Sequence, residues 1–128
     1  MKLLLDTHVF LWFISDDARL PINFRESIRN GENEVYLSVA SVWEAVVKHQ
    51  LGKLPLPQSA VEYLPRQREL HGIASLLIDE AALDHLARLP QLHRDPFDRI
   101  IVAQAIQHDL TLLTADEAVL AYPVKHFG

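Results

Sequence analysis

Met1-Lys2-Leu3-Leu4-Leu5-Asp6-Thr7-His8-Val9-Phe10-Leu11-Trp12-Phe13-Ile14 is the stretch from which the fold is read. The apolar run at residues 3–5 is too short for a helix and reads as a buried strand. Asp6 interrupts two apolar runs, a setting in which a carboxylate is costly to bury unless a partner compensates it. In parallel α/β sheets the ligand crevice lies beyond the carboxyl ends of the strands, and Asp6 falls at that point. Taken alone, Asp6 has a commoner use as the N-cap of a helix starting near Thr7, where its side chain satisfies a free backbone N–H. More acids at equivalent places would shift the balance.

Outward from this stretch, Gly and Pro punctuate an alternating pattern. A strand at residues 2–5 leads into an apolar helix to about residue 15, then a loop at 16–21 and a helix at 23–30 ended by Gly31. A second strand, 35–37, is followed by Ser38 as N-cap of a helix to about residue 50, with Gly52 placed for a left-handed C-terminal turn. After a loop at 54–57, a helix over 59–70 carries Pro65, which should kink or interrupt it. A third strand at 74–78 precedes a short helix capped by Asp79. Asp95-Pro96 reads as a cap with proline at the first helical position, opening a helix to about residue 108. A fourth strand covers 111–113, and 124–127 reads as a short fifth. Strands alternating with helices imply an α/β fold, a parallel sheet of four to five strands with helices on both faces.

At 128 residues the chain is read as one domain, 1–128, able to bury roughly two thirds of its unfolded surface. No apolar stretch approaches a membrane span, because Asp6, Asp16 and Asp17 bracket the longest one. The features of a signal peptide are missing, so a cytoplasmic location is expected. The absence of cysteine excludes thiolate nucleophiles, disulfides and zinc–thiolate sites. A formal charge of -5 argues against coating nucleic acid by bulk electrostatics. It leaves room for a nuclease, since acids gathered to hold metal ions contribute to that excess.

Three further acids occupy places like that of Asp6. Glu44 lies about a turn into the helix after the second strand, Asp98 in the first turn of the helix before the fourth, and Asp116 directly after the fourth. Asp98 also suits a helix N-terminus electrostatically, and Asp116 suits a turn or a cap. Glu44 is harder to explain structurally, being too deep for a cap and crowded by Val42, Trp43, Ala45, Val46 and Val47. Lys48 at i+4 offers an ordinary surface pair worth only about 0.3–0.5 kcal/mol. If the four acids converge they need protons or cations, because two like charges about 4 Å apart repel by about 4 kcal/mol at an effective dielectric of about 20. An oxygen-only donor set suits Mg²⁺ or Mn²⁺, and the chemistry suggested is metal-assisted phosphodiester hydrolysis.

With these residues in place, the chain resembles the PIN-domain ribonucleases, and among them the VapC-type toxins of toxin–antitoxin pairs. The matching pieces are Leu3-Leu4-Leu5-Asp6-Thr7-His8, Ser38 through Trp43-Glu44, Asp95-Pro96-Phe97-Asp98-Arg99 with Ala103-Gln104-Ala105, and Thr114-Ala115-Asp116. The resemblance implies a three-layer α/β/α sandwich and Mg²⁺- or Mn²⁺-dependent RNA cleavage by an activated water. It implies Asp6, Glu44, Asp98 and Asp116 as catalytic and metal-binding acids, with Glu117 as substitute should Asp116 point away. Thr114 matches a small polar residue beside the site, and Asp95 stays a cap. The partners implied are an RNA substrate, a small antitoxin protein and a second copy in a homodimer.

The seven histidines show no paired metal-ligand spacing. His93, Arg94 and Arg99 flank the proposed site and are candidates for phosphate contact, Arg99 alternatively for neutralising the acids. Trp12, Phe13, Trp43, Tyr63 and Phe97 are candidate base platforms, with core packing the safer reading for most. Gly31, Gly52, Gly72 and Gly128 form no phosphate loop, which argues against a nucleotide-binding NTPase. Two other functions compete. One is a non-catalytic module acting with a DNA-binding antitoxin as co-repressor, in which the acids are structural. The other, a phospho-receiver, is disfavoured because the second strand ends in Leu37-Ser38 with no acid to phosphorylate.

Overall fold

A computed structural model describes residues 1–92 and 95–127. In chain order the elements are β1 (Lys2–Leu5), α1 (Thr7–Ile14), α2 (Ile22–Arg29), β2 (Glu34–Ser38), α3 (Val39–Gln50) and α4 (Ala60–Leu70). They continue with β3 (Ala74–Leu76), α5 (Glu80–Arg88), α6 (Pro96–Gln107), β4 (Thr111–Leu113) and α7 (Glu117–Leu120). Among the described residues the sheet has four strands in the order β3-β2-β1-β4, and every pairing is parallel. The α/β reading with helices on both faces is what the structure shows.

Strand β1 is interior because its leucines bury in both directions. Leu3 and Leu5 join the cluster containing Val9, Phe10, Phe24 and Leu64, from α1, α2 and α4. Leu4, one residue out of phase, joins the cluster containing Ala82, Ile101 and Val119, from α5, α6 and α7. Side chains alternate across a strand, so the same sorting recurs in the register partners. Val35 and Leu37 of β2 face the first cluster, and Tyr36 packs against the second. Leu113 and Leu112 of β4 divide likewise. The result is an α/β/α sandwich whose strands all end on the same edge.

Two expectations are corrected. Helix α4 is not interrupted by Pro65 and continues to Leu70. The proline withdraws one donor, the N–H that would reach Val61, and Val61 is on the exposed face where water can replace it, while Ala60 and Leu64 pack inward. The fifth strand is reduced to one parallel bridge, Leu112 with His126. The Val124 N–H closes a tight turn onto the Tyr122 carbonyl at 2.8 Å, so only the residues after it are left to reach β4. Gly52 does take the expected left-handed conformation, at φ +72. Among the described residues no helix is long and apolar enough to cross a membrane.

One buried polar side chain fixes the two layers that converge at the strand ends. Gln104 of α6 accepts a 2.5 Å hydrogen bond from Ser38 Oγ and donates through Nε2 to the Leu77 carbonyl at 3.1 Å. Ser38 in turn accepts from the Ala40 N–H as the cap of α3. Gln104→Leu leaves a hydroxyl and a carbonyl without these partners, so it is expected to cost about 1–3 kcal/mol. Urea unfolding should show this as a lower midpoint with an unchanged slope.

Candidate active site

The carboxyl end of β1 delivers Asp6 into the crevice. Its backbone N–H donates to Leu113 O at 3.0 Å, which holds it against β4. Its side chain performs two tasks at once. Oδ1 accepts from the Thr7 N–H at 2.7 Å as the N-cap of α1, and Oδ2 accepts from Thr114 Oγ1 at 2.7 Å. Asp6 is only 5% exposed. Burial pushes its carboxyl above the ordinary range; the Thr114 and Thr7 hydrogen bonds and the charge of His8 oppose this, and the charge of Glu44 adds to it.

Thr114 is the hub between two of the acids. While donating to Asp6 it accepts from the Asp116 backbone N–H at 3.1 Å. Asp116 is exposed, and its Oδ1 caps α7 by accepting from the Ala118 N–H at 2.9 Å. Asp6 and Asp116 line one open cleft of about 330 Å³ with His8, Val9, Trp12, Arg19 and Ala115. Glu117 is exposed in the first turn of α7 and is not among the residues lining that cleft. On the other side of Asp6, Thr7 Oγ1 donates to Ser41 Oγ at 2.8 Å, tying the start of α1 to the first turn of α3.

Helix α3 presents Glu44 to the interior, 2% exposed. Its Oε2 lies 2.5 Å from Lys48 Nζ, while Oε1 is buried with no hydrogen-bond partner. A buried oxygen left unmet costs about 1–3 kcal/mol or more for a charged group, so folding alone does not account for this carboxylate. The pairing with Lys48 is also unlike the exposed one expected from spacing, because its acidic end is buried. Burial works against the Lys48 ammonium, yet the hydrogen bond and charge of Glu44 and the charges of Asp95 and Asp98 outweigh it and hold its pKa above the ordinary value. Lys48 therefore stands in the field of three carboxylates. Asp98 is buried in the first turn of α6. Asp95 caps that helix as expected, accepting from the Phe97 and Asp98 N–H groups at 2.9 and 3.3 Å.

The structure thus links Asp6 with Asp116 through Thr114, Asp6 with Glu44 through their charges, and Glu44 with Asp98 through Lys48. It does not draw all four into one ligand shell. Among the described residues no three His, Asp or Glu side chains lie close enough together to hold a metal ion as they stand. The donor chemistry nevertheless fits a hard divalent cation, all oxygen, with the orphan Glu44 Oε1 as an available ligand atom. The other Glu44 oxygen, Oε2, is taken by Lys48.

Other flanking residues sort differently from expectation. Arg99 is committed elsewhere, donating to the Pro90 carbonyl at 3.0 Å and the Tyr122 hydroxyl at 3.1 Å, so it braces α6 rather than the acids. His93 and Arg94 lie outside the described residues. Trp12 borders the cleft with the Arg19 guanidinium 5.3 Å from its ring centroid. Trp43 is 57% exposed and packs edge-on against Phe97, where core packing was the safer expectation. Lys48 was read as an ordinary surface pair and not as part of the site, although its i+4 spacing from Glu44 carried the signal.

The Asp6 shift has a testable sign. Its folded pKa lies above the ordinary 3.8, so the folded chain holds this proton more tightly and loses stability as pH rises from 3.8 through the raised value. In chelator, Asp6→Asn should therefore melt at or above the wild-type temperature at neutral pH, with the difference shrinking toward pH 3.8. A clearly lower melting temperature at neutral pH would show that the ionised carboxylate is chiefly a stabilising cap.

The fold agrees with the comparisons to known proteins. The chain is 34% identical over 61 residues to Ribonuclease VapC16 of Mycobacterium tuberculosis, an alignment covering 48% of this chain and 43% of that protein. It therefore spans less than half the length of this relative. The structure of VapBC2 from Rickettsia felis, bound to a DNA fragment from their promoter, superposes with a TM-score of 0.68 at 16% identity, covering 99% of this chain and 98% of the other. FitAcB from Neisseria gonorrhoeae superposes with the same TM-score at 24% identity, over 98% and 96% of the two chains. These likenesses establish a shared fold, and the model of the PIN domain family matches residues 3–125. The chain belongs to the PIN domain family.

Proposed function

We propose that this protein is a metal-dependent endoribonuclease, the toxin of a toxin–antitoxin pair, acting in the cytoplasm as a homodimer and restrained by a small antitoxin protein. The observation that carries the reading is Glu44, a carboxylate buried in the interior with one oxygen unpartnered and the other held by a lysine that also feels the charges of Asp95 and Asp98. Asp6, Glu44, Asp98 and Asp116 are the residues assigned to hold Mg²⁺ or Mn²⁺. When bound, such an ion would supply water activation and stabilisation of the leaving oxygen at the scissile phosphodiester.

The chain's own residues supply the rest. Thr114 fixes the Asp6 carboxylate by holding Oδ2, and its bond from the Asp116 N–H sets the turn that brings Asp116 to the same cleft. The cleft beside Asp6 offers a nucleotide strand an aromatic ring at Trp12, an imidazole at His8 and a guanidinium at Arg19. Base stacking on such a ring is sequence-tolerant, while Arg19 engages phosphate only by sharing its bidentate contact with Asp17. We read residues 1–128 as one domain.

The purified protein should cut labelled total RNA when Mn²⁺ or Mg²⁺ is added and stop when the metal is chelated. Glu44→Gln should lower cleavage by at least about tenfold to a hundredfold, the loss typical even of a group that only supports a metal ligand. Calorimetry separates this reading from a purely regulatory module, whose acids would show no Mn²⁺ binding that depends on Glu44. In cells, production of the chain alone should arrest growth and Asp6→Asn should relieve the arrest; an equally toxic Asp6→Asn would remove the acid site from the account.

A further inference from the structure

We propose that Lys48 is a resident counter-ion that competes with a divalent cation for Glu44, so that this one ammonium sets how tightly the site binds metal. The inference rests on the assignment of Glu44 as a metal ligand and adds a residue that none of the sequence motifs contains. Lys48 is the group in hydrogen-bond contact with Glu44, at 2.5 Å from Oε2, and it also lies in the field of Asp95 and Asp98. It occupies the electrostatic position of the cation that the acids require.

As a cation for Glu44 it is incomplete. It meets Oε2 and leaves Oε1 buried without a partner. A divalent ion on Oε1 would stand one carboxylate's span from the Lys48 ammonium, where a +2 and a +1 charge repel twice as strongly as two single charges. The two partners differ in freedom. Glu44 is fixed in the interior, whereas the Lys48 side chain is 36% exposed on a flexible four-carbon stem. The less costly relief is for Lys48 to swing toward water and surrender Glu44 to the metal. A lysine that merely positioned Glu44 would act in the opposite sense, and its loss would weaken metal binding.

The test uses the full chain, stripped of metal with chelator and dialysed, in four forms: wild type, Lys48→Met, Glu44→Gln and the double variant Glu44→Gln/Lys48→Met. Mn²⁺ binding is read by calorimetry and by the shift in melting temperature. Lys48→Met is expected to bind Mn²⁺ about tenfold or more tightly than wild type. It should also be the less stable protein in chelator, since it leaves a buried carboxylate unpaired, and should recover more on adding Mn²⁺ than wild type does. The double variant should regain the stability lost in Lys48→Met and ignore Mn²⁺, as Glu44→Gln does.

If wild type binds Mn²⁺ through Glu44 but Lys48→Met binds equally or more weakly, the competition is refuted while the metal site stands. If neither protein binds Mn²⁺, the metal site and the proposal fall together. Should Lys48→Met fail to fold in chelator, rescue by Mn²⁺ or by the second substitution supports the proposal. Failure of both rescues means that Lys48 is needed for packing, and overturns it.

Discussion

The three consecutive leucines of β1 impose the constraint on which the remaining structure depends. Buried alternately into the two helical layers, they place β1 inside the sheet with parallel neighbours on both sides. Parallel neighbours require crossover connections, and those connections are the helices that form the layers. Because the strands run the same way, β1, β2 and β4 finish on one edge, and whatever follows them is brought together. Asp6 follows β1, Ser38 ends β2 and the helix bearing Glu44 follows it, and Thr114 and Asp116 follow β4. The apolar run thus determines where polar chemistry can accumulate.

That accumulation sits uneasily with folding. Carboxylates at Asp6, Glu44 and Asp98 are each nearly removed from water, and burying a carboxylate costs stability unless partners compensate it. The chain meets the difficulty with local devices of unequal completeness. Asp6 has both oxygens engaged, one by a backbone N–H and one by Thr114. Asp95 and Asp116 spend themselves on helix caps. Glu44 alone among these has a buried oxygen left over. Where sequence logic and packing fall short of satisfying a group, a functional demand is the usual reason.

Much of this was legible in the sequence because it depends on short-range rules. The strand–helix alternation, the caps at Ser38, Asp79 and Asp95, and the left-handed Gly52 follow from local sterics and hydrogen bonding. Asp6 as both cap and crevice residue follows from its place after a buried run. The misses are long-range or solvent-dependent. Pro65 was judged by the bond it removes, not by whether water reaches the carbonyl it frees. Residues 124–127 have the residue types of a strand, but a turn consumes the first of them. Arg99 looked free for phosphate because its partners Pro90 and Tyr122 are distant in sequence. Lys48 was valued as an exposed pair because spacing reveals adjacency but not burial.

The cap at Asp6 and the assigned role at Asp6 are compatible for a geometric reason. A carboxylate has two oxygens with about four acceptor sites between them. The Thr7 N–H occupies one site on Oδ1 and Thr114 one on Oδ2. Each bond fixes the carboxylate plane without exhausting the oxygen it touches. A side chain so held loses little rotational freedom on gaining a further ligand, which is what preorganisation means energetically. Glu44 reaches the same end differently, by burial and a single contact that can be exchanged. The site therefore combines one acid that is rigid and nearly satisfied with one that is buried and incompletely met, and the second is where a cation would gain most.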